Sequence, residues 1–355
     1  MSIQARLTTE AETDKVFAAQ VDQRLASLMD AQIRTAVSPR MAALWQQIAE
    51  AVQGGKRTRP MLVHLGYQVI DTCQDARAIE IGCAFELLHT ALVIHDDIID
   101  QDFIRRGQPT LSAHYRDAAL AQGKNQLAAE HIGYAAGLLA GDALLTKANQ
   151  LLQAACRDLA GGDQLIEVFH TAIQHSAAGE LDDVLFSVDL ESAGLDDVLQ
   201  MHQLKTAAYS FEAPLVAGAL LAGASADLVT RLSRFGNLLG SCYQIIDDVL
   251  GTFGDATQTG KSNDSDLREG KVTVLIALAE SIPEAAPVVQ GWRNGEVGSN
   301  AMRALLVTHD IESQARQLAD EYCTHAYEQL ADLPMPTAVR DSFRHLIHDL
   351  LQRNH

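Results

Sequence analysis

The sequence predicts an all-α protein, and three observations carry that prediction. Leu and Ala dominate the 355 residues, aromatics make up only 5%, and proline occurs eight times; long packed helices tolerate that composition better than strands do. Apolar residues recur at steps of three and four through most of the chain, and there is no alternating strand pattern. There is also no internal repeat and no low-complexity linker. A chain of this length can bury a large core. One domain over 1–355 is the economical organisation, with helical flanks at 15–53 and 276–352 around a motif-bearing core at about 50–275.

In chain order, residues 15–35 and 41–53 read as amphipathic helices, the second closing at Gly54-Gly55. Pro60 to Ile70 and Ala76 to Phe103 have the apolar spacing of buried helices. "RRGQPT" (105–110) breaks the pattern with Gly and Pro. Helical periodicity returns over roughly 125–160, 163–190, 196–224 and 226–250. "GTFGDATQTGKSNDSDLREGK" (251–271) is the longest polar, Gly-rich interruption and reads as a loop over a functional mouth or simply as a flexible link. Three or four further helices follow.

The formal charge of −19 argues against a nucleic-acid surface and against docking to an anionic membrane. Cys73, Cys83, Cys156, Cys242 and Cys323 are odd in number and lack CxxC spacing, so unpaired, mostly buried thiols in a reducing cytoplasm are expected. The first 20 residues have no apolar h-region, and no run of about 18 apolar residues occurs, so neither secretion nor an integral membrane segment is expected.

"HDDIIDQDFIRRG" (95–107) is the segment richest in chemistry. On a helix, Asp96 and Asp100 are four apart and Asp97 and Asp100 three apart, so the three carboxylates share a face. Left unneutralised, they raise one another's pKa and destabilise the helix. Mg²⁺ removes that cost, because it takes carboxylate oxygens and leaves sites for water and phosphate. The plainer alternative is a solvated acidic helix end. Against it stand the apolar run "LLHTALVI" leading in, Arg105 and Arg106 following, and a second pair, Asp247-Asp248, again after an apolar stretch. Two carboxylate clusters on different helices of a bundle can hold metal ions.

Cations accompany both clusters: Lys56, Arg57 and Arg59 in "GGKRTRP" (54–60), Lys205 in mid-helix, and Lys261 and Lys271 near the polar loop. Together they suit phosphate groups, although each lysine alone is an ordinary surface residue. "GDATQTGKS" (254–262) imitates a P-loop, but five residues separate Gly254 from Gly260 and no strand precedes it, so the nucleotide reading fails. His95 is either a support for the aspartates or a packed core residue. His170, His175 and His202 follow no metal-ligand spacing and read as structural or surface residues, and Cys242 and Tyr243 as packing.

In their order, "GGKRTRP", "HDDIIDQDFIRRGQPT", "GD" (141–142), "KT" (205–206), "YQIIDDVLG" and "GKSNDSDLREGKVT" resemble the trans-isoprenyl diphosphate synthases. These are the head-to-tail polyprenyl synthetases, which include the geranylgeranyl diphosphate synthases. The resemblance implies a bundle of antiparallel helices around a deep central cavity, the isoprenoid synthase type I fold, in a homodimer. It implies condensation of isopentenyl diphosphate with an allylic diphosphate (dimethylallyl, geranyl or farnesyl) on three Mg²⁺ ions, with Mn²⁺ as a possible substitute. Asp96, Asp97, Asp100 and Asp247, with Asp248 beside it, correspond to metal ligands. Arg105, Lys205 and Lys261 correspond to allylic-diphosphate contacts, and Lys56, Arg59, His89 and Arg106 to the isopentenyl diphosphate pocket. Thr206 and Gln244 correspond to residues lining the reacting carbons, and Asp266 and Lys271 to support of the second metal site.

In that family a bulky aromatic four or five residues before the first Asp stops elongation. Here those positions are Ala91 and Leu92, and Ala84, two turns deeper, is also small; Phe85, Leu87 and Leu88 would form the floor. Geranylgeranyl diphosphate (C20) is the expected product, with farnesyl or longer chains as alternatives. A class I terpene cyclase would carry an Asn-Ser-Glu metal motif that "DDVLGTFGD" does not match. A non-catalytic partner subunit would rest on Gly251 alone, which stands where the second motif's third Asp is expected.

Overall fold

The computed structural model describes residues 3–73, 75–105, 107–188, 190, 193–254 and 265–351. Among them the chain is helical almost throughout, as its periodicity requires, and the residues gather into two compact units. The first comprises residues 1–166 and 217–224, and the second residues 167–216 and 225–355.

The first unit is built on α1 (Ile3–Arg34), α2 (Pro39–Val52), α3 (Thr58–Gln68), α4 (Ala76–Ile99), α5 (Leu111–Ala121) and α6 (Gln126–Cys156). Its centre is α4, which starts at Asp75, whose carboxylate accepts the Arg77 amide N–H in the manner of an N-cap. Ile81, Cys83, Ala84, Phe85, Leu87, Leu88 and Ala91 are all fully enclosed, because α4 is apolar on every side and is packed by α1, α3 and α6. By length and composition alone α4 could cross a bilayer, but 67% of its apolar window is buried inside the protein, which is the signature of a core helix. The helix stops at Asp100 rather than at Phe103. Next comes a small antiparallel hairpin, β1 (Ile104–Arg105) with β2 (Gln108–Pro109), where Gly and Pro in the sequence signal only a break in the helix.

The second unit holds α7 (Gly162–Ser187, which begins in the first), α8 (Leu195–His202), a π-helical segment (Gln203–Glu212) and α10 (Ala226–Phe253). Between the last two runs α9 (Ala213–Leu221), which carries the chain back to the first unit. A short α11 (Ser265–Glu269) and α12 (Val274–Glu280) follow, then α13 (Ala286–Arg293), α14 (Ser299–Thr308), α15 (Ile311–Asp332) and α16 (Thr337–Leu351). The stretch expected as one helix over 196–224 is therefore three segments. Its middle is π-helical, a rare local widening that recurs at functional sites. The helix α10 runs on through Gly251 and ends at Phe253, three residues further than the sequence suggested, with Gly254 as its C-cap. All five cysteines are free, four of them buried.

Candidate active site

The first cluster forms where α4 ends. Asp100 is its C-cap, with its amide donating to the Asp96 carbonyl, and the Asp102 amide donates to the Asp97 carbonyl at 2.8 Å. The chain then turns just after Asp100, with Gln101 in the left-handed region at φ +59°, and enters β1, whose Arg105 meets the helix end. There Arg105 Nη2 donates to Asp96 Oδ2 at 2.6 Å and its Nε to Asp97 Oδ1. The carboxylates and the cation that follow each other in the motif are thus one cluster in space. Asp97 is buried, and burial pushes its carboxyl up to about 6, against the pull of Arg105. In the same pair burial works to lower the Arg105 guanidinium, but Asp96 and Asp97 outweigh it and hold it above its usual range.

Among the described residues no three His, Cys, Asp or Glu side chains are gathered into a ready metal cage. The donors are nevertheless of the right kind for a hard divalent cation, since they are carboxylate oxygens only. Burial is what raises Asp97 most, with Asp96 and Asp102 adding to it against the pull of Arg105; a bound cation would favour the ionised form.

His95 turns away from the aspartates. Its Nε2 lies 3.5 Å from the Leu138 carbonyl and 3.7 Å from Asp142 Oδ1 on α6, so it reads as packing that also meets the "GD" pair. Lys56 is exposed on the loop before α3, Arg59 is half-buried in the first turn of α3, and His89 is half-buried on α4. Arg106 and Lys261 lie outside the described residues. Ala84, Phe85, Leu87, Leu88 and Ala91 are enclosed and Leu92 half-buried, so the residues expected to gauge product length belong to the apolar body of α4.

In the second unit Lys205 lies in the π-helical segment. Its Nζ reaches Asp183 Oδ2 at 2.6 Å and Glu180 Oε2 at 3.0 Å, both on α7. Thr206 Oγ1 donates to Gln244 Oε1 at 2.8 Å, and Gln244 Nε2 donates to Asp248 Oδ1 at 3.0 Å. The other Asp248 oxygen accepts the Val274 amide at 3.0 Å and lies 3.3 Å from His202 Nε2. Gly240 makes this possible: a Cβ there would stand 2.5 Å from Ala207 Cα, so only glycine lets α10 approach the π segment.

These contacts correct one expectation. Asp248 does not present its oxygens as metal ligands, because both are taken up inside the protein. Burial raises its carboxyl well above the usual range, partly opposed by Gln244 and the Val274 amide. Burial likewise lowers His202 to about 4. Asp247, one residue earlier and about 100° around the helix, is exposed. His202, read from the sequence as a structural or surface residue, is buried and joins the Asp248 network. Glu180 and Asp183 are residues that sequence reasoning missed; their i, i+3 spacing on α7 is visible, but nothing local links them to Lys205.

Gly251 sits on α10 with the Asp266 carboxylate against it: a Cβ there would meet Asp266 Oδ2 well inside van der Waals contact. Lys271, whose amide donates to the Asp266 carbonyl, pairs through Nζ with Glu269 at 3.4 Å.

The model of the family described as polyprenyl synthetase matches residues 41–290. A geranylgeranyl diphosphate synthase of Sulfolobus acidocaldarius is 38% identical over 227 residues, which are 63% of this chain and 62% of that protein. Its counterpart in Saccharolobus solfataricus is 30% identical over 84% of this chain and 87% of that protein. Among solved structures, a geranylgeranyl pyrophosphate synthase from Corynebacterium glutamicum, complexed with isoprenyl diphosphate and magnesium, superposes with a TM-score of 0.86. It is 27% identical, over 95% of this chain and 98% of that one.

Proposed function

Because the chain belongs to the polyprenyl synthetase family and is a trans-prenyltransferase, we propose that it condenses isopentenyl diphosphate with an allylic diphosphate to give geranylgeranyl diphosphate. The observation that carries the reading is the cluster of Asp96, Asp97 and Arg105 closing a buried apolar helix. The family uses Mg²⁺ and takes isopentenyl and allylic diphosphates. Asp96, Asp97, Asp100 and Asp247 would hold Mg²⁺, three ions with substrate bound and replaceable by Mn²⁺. Bound there, the metal supplies neutralisation of charge developing on the leaving diphosphate.

The chain's own residues account for the rest. Arg105, Lys205 and Lys261 bind the allylic diphosphate, with Arg105 and Lys205 exchanging their present carboxylate partners for phosphate oxygens of the same charge. Lys56, Arg59, His89 and Arg106 bind isopentenyl diphosphate. The allylic C–O bond breaks heterolytically, and the electron pair leaves with diphosphate. The apolar residues of α4 exclude the water that would quench the carbocation, and Thr206 and Gln244 line the reacting carbons. The double bond of isopentenyl diphosphate supplies the electrons of the new C–C bond, and the proton then lost goes to the released diphosphate.

The small side chain of Ala91 supports a C20 product; relatives include both geranylgeranyl and longer-chain synthases. Replacing Ala91 with Phe should shorten the product, and an unchanged length would refute the gauge. A homodimer is also proposed, because Leu127, Ile132, Leu138 and Leu139 leave apolar area exposed on α6. The experiment for the whole reading is incubation of purified protein with Mg²⁺, isopentenyl diphosphate and each of the C5, C10 and C15 allylic diphosphates, followed by sizing of the products. Turnover to C20 is expected. No turnover with any starter would favour a non-catalytic partner subunit.

A further inference from the structure

We infer that the N-terminal helix α1 takes part in isopentenyl diphosphate binding through Arg57, making Asp22 a positioning residue for Lys56 and Arg59. The inference rests on the assignment of those two side chains proposed above. In "GGKRTRP" the three cations behave differently: Lys56 is exposed, Arg59 half-buried, and Arg57 buried at 6% exposure. Arg57 is the N-cap residue of α3, and its backbone is left-handed at φ +53° and ψ +37°. That conformation is unfavourable for a residue with a Cβ and persists only where its surroundings hold it.

The guanidinium provides the hold. Its Nε donates to Asp22 Oδ1 on α1 at 2.7 Å, Nη1 to Glu86 Oε1 on α4 at 2.9 Å, and Nη2 to the Val52 carbonyl, the last residue of α2, at 3.0 Å. Three elements thus meet on one planar fork, a geometry that lysine cannot reproduce. The backbone at 57 sets the direction in which its neighbour Lys56 and Arg59, two residues on, project. Glu86 lies one helical turn before His89, so the same fork ties the basic loop to the turn of α4 bearing the third described residue of that site. Arg24 adds a second clamp from α1, donating to both Glu80 oxygens at 2.7 and 3.0 Å. Asp22 precedes the stretch the family model matches, residues 41–290, so this support comes from the flank.

The test is steady-state kinetics on the full chain carrying Asp22→Asn or Arg57→Lys, with thermal midpoints measured alongside. Asp22→Asn should raise KM for isopentenyl diphosphate about fivefold, the effect of one charge-assisted hydrogen bond. KM for the allylic substrate and the product length should stay as they are, and Arg57→Lys should act in the same direction and more strongly. A lowered midpoint with both KM values unchanged would make the cluster merely structural and overturn the inference, as would a parallel rise of both KM values. If Arg57→Lys fails to fold, Asp22→Asn decides alone, because the Asp22 side chain is 57% exposed and Glu86 keeps its partner. Lys56→Ala in the same assay separates the two levels. If it raises KM for isopentenyl diphosphate while the other variants do not, only the role of α1 fails. If it changes nothing, the site assignment falls and the inference falls with it.

Discussion

The two aspartate pairs read alike in the sequence and are used differently in the fold. At the end of α4, Asp96 and Asp97 both face Arg105 of β1. In α10 the pair is split: Asp247 is exposed, while Asp248 is locked inside by Gln244, the Val274 amide and His202. Adjacent residues on a helix point about 100° apart, so a dipeptide acts as one site only when something reaches across to both. Arg105 does so in the first unit. In the second, the packing of α10 against the π segment and α12 takes one of the two into the interior.

The largest effects should separate the roles of the four carboxylates. Asp97→Asn and Asp247→Ala should each lower kcat/KM by about 10²–10³, the scale on which removal of one electrostatic group acts at a reacting centre. Both variants should remain folded by circular dichroism. If Asp247→Ala kept near-normal turnover, the second motif would have no direct role, and the protein would work with a single carboxylate cluster.

Asp248 should behave in the opposite way. Asp248→Ala removes the acceptor for Gln244 and the Val274 amide and leaves buried donors unpartnered, so a stability loss of about 2–4 kcal/mol is expected. A shift in the denaturant midpoint would measure it. An Asp248→Ala variant as stable as the parent, yet inactive, would return Asp248 to the ligand set.

Much of this was legible beforehand. The all-α class follows from apolar spacing and composition, and the shared face of Asp96, Asp97 and Asp100 follows from short-range helix geometry; that Arg105 reaches both Asp96 and Asp97 does not. The fate of Asp248 was not legible, since its partners lie 4, 26 and 46 residues away along the chain and are chosen by packing. Nor was the π-helical widening at Lys205, where nothing in "QLKTAAYSFE" marks a departure from α-helix. Local spacing shows which residues share a face; it does not show what that face meets.

A smaller, pH-dependent difference should distinguish the first cluster. The Asp97 carboxyl is raised from 3.8 to about 6 in the folded protein. A folded-state pKa above the unfolded one means that the native state holds the extra proton, so this group favours the fold below about pH 4. That contribution is lost as pH rises through about 6. A bound divalent cation needs the ionised form. The Mg²⁺-induced rise in thermal midpoint should therefore be full above pH 7 and fade as pH falls through 6. Asp97→Asn should remove that step, and a Mg²⁺ effect independent of pH between 5 and 7 would contradict the assignment.

The smallest effect decides what Gly251 is for. If it is a lost third carboxylate, Gly251→Asp should raise activity. If it makes room for Asp266, both Gly251→Asp and Gly251→Ala should lower kcat about two- to fivefold, because each side chain displaces the Asp266 carboxylate. Helix propensity works the other way: replacing an interior helical glycine with alanine gains about 1 kcal/mol. A Gly251→Ala protein that is at least as stable as the parent but slower would isolate the steric effect from any damage to the fold. Removing the obstructed partner sharpens the test. In Gly251→Asp combined with Asp266→Ala, the new carboxylate no longer competes for space, so the two changes should cost less together than the sum of their separate effects. Strict additivity would mean that Gly251 and Asp266 act independently, and that the second motif is simply one carboxylate short.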